Sequence, residues 1–249
     1  MNPIKRLISE GVIFDKNTHQ YFYDGVEYLS ATSLIRKYTR GFPLHSMAER
    51  VANKRGVSRD EVEREWRKNS LEAAKRGTAM HEAIESFIEG GVIEKPFEGL
   101  LRSIEKEILS HASFYGFSTF LTECKFVNKA YKYAGTFDFA AFSPHNECVL
   151  FDFKTSKIGE QKQGFMLQPV SHLRASKDVL YSLQLYLYKR AIEAFNFHVV
   201  SMQIVYIDEH GIVSRNEALP LENEANALLA DWVETIDNRK YLFRNLMKQ

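Results

Sequence analysis

Apolar residues recur at two different periods along this chain, every second residue in some segments and every third or fourth in others. The first period is typical of half-buried strands and the second of amphipathic helices. Residues 11–29 alternate around the turn sequences DKNT and YDG, which predicts two short hairpin-like strands. Ser30 or Thr32 then provides a cap for a helix over SLIRKY, and the highly charged segment 46–69 is also predicted to be helical.

A clearer helix and a run of strands make up the middle of the chain. After Asn69-Ser70 the sequence LEAAKRGTAMHEAIESFIEGG predicts a helix that ends at Gly90-Gly91, where a glycine in the left-handed conformation is usual. A second amphipathic helix is predicted over about 97–114. Strands are predicted over about 117–127, 133–142 and 148–154. Their connections leave little room for crossovers, which predicts a meander.

Helical spacing returns after a polar loop over 157–175. The segment VLYSLQLYLYKRAIEAF predicts a helix up to Asn196, and the turn DEHG separates two further strands near 198–208 and 212–218. A charged helix over about 221–247 closes the chain. The order of these elements predicts a mixed α/β (α+β) fold, in which a central mixed β-sheet is flanked by helices.

The sequence itself marks no domain boundary, because repeats, low-complexity segments and long Pro/Gly linkers are absent from it. At 249 residues, with 45% apolar and 26% charged residues, the chain is typical of one compact globular domain. We therefore predict a single domain over 1–249. Its regions are an N-terminal hairpin and basic helical region (1–69), a catalytic core (70–220) and a C-terminal helix (221–249).

The apolar runs are too short to span a bilayer, and the N-terminal MNPIKRLISEG lacks the apolar core of a secretory signal. We expect no membrane association and a cytoplasmic or nucleoid-associated location. The two cysteines, Cys124 and Cys148, are too few for a four-cysteine zinc or iron–sulfur site, and neither belongs to a CxxC pair. Both are expected to be ordinary reduced thiols.

Basic residues are concentrated in one segment although the net charge of the chain is only +1. Between Arg36 and Arg76 there are twelve Lys or Arg residues against six acids. Such a pattern is typical of a solvated helical face with mixed charges, and it is also what a surface for a phosphate backbone requires.

The tripeptide Phe-Asp-Phe occurs at both ends of the segment 137–153. Because strand side chains alternate between faces, each aspartate should point away from its two phenylalanine neighbours, which gives an aromatic core face and an acidic face. If SPHNE (143–147) is the connecting loop, a single register fits both aromatic pairs. It pairs Asp138 with Asp152, Phe137 with Phe153 and Phe139 with Phe151.

Like charges on directly opposed residues, with Cβ atoms roughly 4.5–5.5 Å apart, repel one another. A cation should therefore lie between Asp138 and Asp152. Lys154 is two residues beyond Asp152 and shares its face, and oxygen ligands at this spacing also suit Mg²⁺ or Mn²⁺. The alternative is a pair of surface acids that Lys154 bridges on a solvated face of the sheet.

Asp138 and the later Asp152-Phe153-Lys154 together resemble the signature of the PD-(D/E)xK nuclease superfamily, with Asp as the second acid. This resemblance implies a restriction-endonuclease-like core, to which the N-terminal hairpin and helices are additions. Two further motifs resemble the RecB-type branch in particular. They are RGTAMHEAIE, which matches G-x-x-x-H at Gly77 and His81, and QLYLY, which matches Q-x-x-x-Y at Gln184 and Tyr188.

The resemblance implies a ligand set for one or two Mg²⁺ or Mn²⁺ ions. Its members are Asp138, Asp152, His81 and the backbone carbonyl of Phe153, with Glu123 and Glu85 as outer candidates that would orient water. His81 and Glu85 are four residues apart on the predicted helix and so share one face. The alternative for His81 is a hydrogen-bonded histidine in the core.

Catalytic roles follow from the same resemblance. Asp138, Asp152 and Lys154 form the catalytic set, in which Lys154 positions or helps to deprotonate the attacking water and steadies the developing negative charge. Gln184 and Tyr188 share a helix face and would hydrogen-bond a phosphate, a base edge or the lysine, or else be ordinary interface polar residues. The residues expected to bind DNA are Arg36, Lys75, Arg76, Thr155 and Ser156.

Several RecB-type relatives carry an iron–sulfur cluster on four cysteines, which this chain lacks. The chain is more similar to stand-alone, cluster-free members such as phage-type and mitochondrial genome-maintenance exonucleases. Because it has no GxxxxGK[ST] motif, unwinding would require a helicase or recombination partner. We expect a metal-dependent deoxyribonuclease, an exonuclease that acts on DNA ends or single strands in replication, recombination or repair. The alternatives are a catalytically silent nucleic-acid-binding or assembly module and a hydrolase of small phosphoesters.

Overall fold

Eight strands form one mixed sheet in the computed structural model, which describes residues 2–92, 95–155, 164–208, 211 and 213–246, with side chains as far as Asn238. The strands are β1 Val12–Asp15, β2 Gln20–Tyr23, β3 Val26–Ser30, β4 Thr119–Asn128, β5 Tyr133–Phe142, β6 Glu147–Lys154, β7 His198–Ile207 and β8 Val213–Glu217. Their order is β1-β2-β3-β5-β6-β7-β8, and β4 pairs with β5. The β3–β5 and β6–β7 pairs are parallel and the others antiparallel, so the predicted mixed sheet is confirmed.

Helices flank this sheet on both faces. They are α1 Pro3–Ser9, α2 Ala31–Lys37, α3 Leu44–Arg55, α4 Arg59–Ile88, α5 Glu98–Ile104, α6 Ser110–Phe114, α7 Lys177–Glu193 and α8 Glu222–Leu246. A 3-10 turn (Lys95–Phe97) precedes α5, and a π-helical segment (Glu105–Leu109) joins α5 to α6. Over the described ranges, every helix is too short or too polar to cross a membrane.

The N-terminal region contains three strands where the alternation predicted two. The third strand, β3, pairs in parallel with β5 through Leu29 with Tyr133 and Ser30 with Ala134. Ser30 then caps α2, as predicted, because its Oγ accepts a hydrogen bond from the backbone N–H of Ser33. The hairpin is thus joined directly to the central strands.

The predicted helix boundary at Asn69-Ser70 is wrong, because α4 is one continuous helix of 30 residues. The interruption lies earlier, where Gly56 has a left-handed φ of 68° and Ser58 caps α4 through its hydroxyl. Asn69 and Ser70 are exposed positions within the helix. Because the helix rises about 1.5 Å per residue, α4 is about 45 Å long.

Two large buried clusters lie on the two faces of the sheet. Leu150 and Phe151 are neighbours on β6 but belong to different clusters, as alternation requires. The first cluster joins the sheet to α1, α2, α7 and α8. The second joins it to α4, α5 and α6.

The prediction that Phe137 and Phe139 share one face is wrong. Phe137 belongs to the first cluster and Phe139 to the second, although two residues that far apart on a regular strand face the same way. Alternation fails at the intervening Asp138, whose neighbour on β4 is Glu123 with a positive φ of 44°. The strand pair is therefore locally irregular at the position of its acids.

One edge of β5 is shared between two partner strands. Its first residues, Tyr133 and Ala134, pair with β3, and Phe139–Phe142 pair with β6 in the predicted register. Residues 135–138 lie between these two ladders. The fold thus places Asp138 at a point where the backbone of the sheet separates.

Candidate active site

Asp138 occupies the gap between β5 and β6. The last backbone pair of the ladder before Asp138 is Phe139 with Phe151. Beyond this pair the two strands are joined by a side chain, because Asp138 Oδ2 accepts a hydrogen bond of 2.8 Å from the backbone N–H of Phe153. The carboxylate is therefore fixed beside Asp152, but the ladder ends at Phe139 and Phe151, so the predicted direct pairs of Asp138 with Asp152 and of Phe137 with Phe153 do not form. Its other oxygen, Oδ1, is directed toward His81.

Glu123 lies opposite Asp138 on the other side of β5. The flanking pairs are Thr122 with Phe139 and Cys124 with Phe137, which set Glu123 across from Asp138. A non-glycine residue at a φ of 44° is strained, and such residues concentrate at functional sites. The alternation of side chains along the strands could have predicted that Glu123 lies next to Asp138. No feature of the sequence predicts the positive φ of Glu123.

His81 reaches the two acids from α4. Its Nδ1 lies 3.3 Å from Glu123 Oε1 and 3.7 Å from Asp138 Oδ1. One ligand atom from each of these three residues lies within 4.8 Å of the others, a spacing that can hold a metal ion. The His81 ring meets the edge of Phe153 with centroids 6.2 Å apart, which fixes its orientation.

The acids around His81 favour the protonated form of its imidazole. Burial lowers the pKa of the imidazole, but the hydrogen-bonded Glu123 carboxylate and the nearby Asp138 outweigh burial and raise this pKa above its usual value. Burial, and then the neighbouring Glu123, also raise the pKa of Glu85. Glu85 therefore adjoins the acidic cluster, as an outer residue would.

Asp152 is fully buried, with 0% of its side chain exposed. Its Oδ1 accepts hydrogen bonds from Lys154 Nζ at 2.7 Å and from Gln184 Nε2 at 2.9 Å. Its Oδ2 is buried and has no hydrogen-bond partner in the described part of the chain. Burial raises the pKa of Asp152 to about 6, against the lowering effect of Lys154. The alternative of two solvated surface acids is therefore wrong.

Lys154 ends β6 with its ammonium held between charged and aromatic groups. Besides its bond to Asp152, Nζ lies 4.8 Å from the ring centroid of Tyr181 on α7. Burial lowers the pKa of Lys154, but the carboxylates of Asp152 and Asp138 outweigh burial and raise the pKa. The side chain is thus held as a cation beside both acids.

Gln184 and Tyr188 share one face of α7, as their spacing predicted. The Gln184 amide donates to Asp152 Oδ1 and also to the Tyr188 hydroxyl, each at 2.9 Å. The Tyr188 ring packs edge-on against Phe126 over Gly135, where a Cβ would lie 2.7 Å from Phe126 Cζ and 3.1 Å from Tyr188 Cε1. The glycine therefore lets α7 approach the strand and fix Gln184 against Asp152.

Two hydroxyl groups that sequence reasoning missed lie beside the acids. Tyr21 on β2 and Thr136 on β5 form a hydrogen bond of 2.9 Å. Burial raises the pKa of Tyr21, with smaller contributions from Glu123 and Asp138 that show how close the hydroxyl is to them. Thr136 precedes Asp138 by two residues and could have been found by alternation, whereas Tyr21 is 115 residues away in sequence.

The residues expected to bind DNA are only partly brought together. Arg76 and Thr155 line the same cleft beside α4. Lys75 is exposed on α4 and Arg36 is exposed on α2, and the structure does not join either of them to the acids. Ser156 lies outside the described residues.

A divalent ion fits the groups that meet here. The cluster of His81, Glu123 and Asp138 supplies imidazole nitrogen and carboxylate oxygens, which suit Mg²⁺ or Mn²⁺. Asp152 is not a member of this cluster, but its buried Oδ2, which lacks a hydrogen-bond partner within the described ranges, is the kind of atom that an ion satisfies.

Comparison with protein families gives a match to the model described as the PD-(D/E)XK nuclease superfamily, over residues 14–247. Comparison with curated proteins gives no match. The family match covers the whole sheet except the beginning of β1, together with α2 to α8. It therefore includes every site residue described above.

Proposed function

We propose that this chain, which belongs to the PD-(D/E)XK nuclease superfamily, is a Mg²⁺- or Mn²⁺-dependent deoxyribonuclease that removes nucleotides from DNA ends. The observation that carries the proposal is the meeting of two groups of residues. His81, Glu123 and Asp138 converge on one point, and the buried Asp152 is bonded to Lys154 beside it. The acids are the ligands that a divalent ion requires, and the lysine supplies a cation for the phosphate diester.

His81, Glu123, Asp138 and Asp152 would hold one or two ions, and the backbone carbonyl of Phe153 remains a predicted ligand. When bound, such an ion supplies positive charge for the phosphate and lowers the pKa of water. The convergence of His81 on the acids supports the RecB-type branch, since the resemblance gave histidine this role. It favours a ligand role for His81 over that of a core histidine.

Lys154 would donate hydrogen bonds to the phosphate oxygen on which negative charge develops. Its ammonium already lies beside two carboxylates that favour the charged form, so it is better suited to stabilise charge than to remove a proton. Gln184 would act as a positioning residue, because its amide fixes Asp152 Oδ1. Tyr188 would in turn orient that amide through its hydroxyl.

DNA would approach from the side of α4 where the basic residues Lys75 and Arg76 are exposed. The stand-alone, cluster-free relatives that the sequence resembles favour an exonuclease in replication, recombination or repair, with a helicase or recombination partner for duplex substrates. A silent binding module with the same fold would have no need for a buried acid whose Oδ2 finds no partner among the described residues.

The test is digestion of end-labelled linear, circular and single-stranded DNA side by side, in Mg²⁺, in Mn²⁺ and in a chelator. We expect the linear and single-stranded forms to release short labelled products in either metal, the circle to persist, and Asp152→Asn to be inactive. Cleavage of the circle would instead indicate an endonuclease. DNA binding without cleavage in either metal would indicate the silent module, and cleavage in the chelator would contradict a metal-dependent mechanism.

A further inference from the structure

A cleft of about 720 Å³ lies beside the acids, on the face of the sheet that α4 and α5 cover. The lining comes from α4, from α5 and the segment before it, from the residue after β6, and from the end of β7 with the residues after it. The lining residues that matter here are Arg76, Met80, Phe97, Leu100, Thr155 and Ile207.

The cleft and the candidate metal centre share two elements. On α4, Met80 lines the cleft while the next residue, His81, approaches Glu123 and Asp138. At the end of β6, Thr155 lines the cleft and directly follows Lys154. A phosphate held at the acids would therefore have the mouth of the cleft next to it.

The walls combine an apolar floor with two charged side chains, Arg76 and Asp208. Met80, Leu100 and Ile207 belong to the buried cluster of this face, and Phe97 packs against that cluster while staying half-exposed. Arg76 is exposed on α4. A flat aromatic surface beside a cation is the combination that binds a nucleobase and its phosphate.

Gly211, beyond the end of β7, lies close to α5 in the wall of the cleft. Gly211 has a φ of 76°, and a Cβ there would lie 2.9 Å from the backbone N of Leu100 and 3.1 Å from its Cα. Only glycine fits this contact without displacing α5. The glycine thus allows the chain after β7 to pass close to Leu100 in the wall of the cleft.

We propose that the cleft receives one unpaired nucleotide of the DNA strand next to the phosphate at the metal centre, with its base against Phe97 and its phosphate near Arg76. The proposal rests on the proposed nuclease function and extends it to substrate choice. A base in a Watson–Crick pair cannot enter such a cleft, so the enzyme should prefer strands that are single at the site of cleavage.

The test uses a set of single-stranded oligonucleotides, each of which carries 2-aminopurine at a different position. Each oligonucleotide is bound to the protein in Ca²⁺, and the fluorescence of the 2-aminopurine is measured. Stacking of a base on an aromatic ring strengthens binding at that position. We therefore expect quenching at one position only, and an abasic residue there should weaken binding about tenfold. Phe97→Ala should remove both effects, Phe97→Tyr should retain them, and Phe114→Ala should leave them unchanged because Phe114 is a surface residue outside the cleft.

Equal quenching in Phe97→Ala and in the parent protein, or no position-specific quenching in a protein that binds the oligonucleotide, would overturn the proposal. Cleavage without position-specific quenching would contradict the proposed nucleotide site in the cleft and support the nuclease function. Quenching without cleavage in Mg²⁺ or Mn²⁺ would contradict the nuclease function and support the nucleotide site. A chain that binds no oligonucleotide at all would overturn both.

Discussion

The backbone N–H of Phe153 donates a hydrogen bond of 2.8 Å to Asp138 Oδ2 across the gap between β5 and β6. One acid of the site is thus fixed by the backbone of the residue that follows the other acid, Asp152. This contact also explains how two opposed acids are tolerated, because one carboxylate is hydrogen-bonded to the backbone and the other to Lys154.

Replacing Lys154 by Met should abolish most cleavage while leaving metal binding largely intact. The ammonium contacts Asp152 and would face the phosphate, and loss of one such charge-stabilising group typically lowers turnover on the order of 10²–10³-fold. Single-turnover digestion measures the rate, and Lys106→Met on the exposed surface is the matched control. Full activity in Lys154→Met would show that Lys154 takes no part in the reaction.

Glu123 should show a conflict between stability and metal binding. A side chain at a φ of 44° costs about 1 kcal/mol that glycine avoids, so Glu123→Gly should unfold at higher urea than Glu123→Ala. Both variants should bind Mn²⁺ more weakly than the parent protein because a carboxylate ligand is lost. Equal stability of the two variants would show that the backbone at this position is unstrained.

Acid should weaken metal binding before it unfolds the protein. Burial raises the pKa of Asp152 to about 6, so this carboxyl takes up a proton as the pH falls through that value. The raised pKa of His81 acts in the same direction, since a protonated imidazole cannot bind a cation. Calorimetric titration with Mn²⁺ should therefore give a falling affinity from pH 7.5 to pH 5.5. An affinity that stays constant over this range would exclude both groups as ligands.

Gly77 on α4 and Gly135 on β5 should respond in opposite ways to alanine. At Gly135 the new Cβ would lie within 3.1 Å of both Phe126 and Tyr188, and overpacking of this kind costs about 1–3 kcal/mol. At Gly77 no described atom lies within 4 Å, and alanine in a helix is favoured over glycine by about 0.5–1 kcal/mol. Urea unfolding of Gly135→Ala and Gly77→Ala measures both effects. A stable Gly135→Ala would mean that α7 need not approach β5 so closely.

The sequence predicted the elements that carry the chemistry better than it predicted their local geometry. Asp138 and Asp152 were predicted from residue type and spacing and His81 from the family resemblance, and the structure brings the three side chains into one region. The shared face of Phe137 and Phe139 was wrong because alternation assumes a regular strand, and the irregularity arises from a backbone conformation at Glu123 that no residue type announces. Glu123 was for that reason ranked only as an outer ligand.

Contacts between distant segments were also beyond the reach of local patterns. The hydrogen bond between Tyr21 and Thr136 depends on how the N-terminal hairpin joins β5, which no periodicity specifies. The helix boundary predicted at Asn69-Ser70 was wrong because the prediction gave too much weight to residue types that favour helix caps. Both residues are exposed within α4, where residue type restricts helix formation only weakly.

The most direct test of the account is calorimetric titration of Mn²⁺ into the parent protein and into Asp138→Asn, because Asp138 adjoins His81, Glu123 and Asp152. Asp24→Asn is the matched control, since Asp24 is an exposed residue with positive φ, a conformation that asparagine tolerates. We expect the parent protein and Asp24→Asn to bind Mn²⁺ alike, and Asp138→Asn to bind about 10–100-fold more weakly while keeping its fold. Equal Mn²⁺ affinity in Asp138→Asn and the parent protein would contradict a metal centre at these acids.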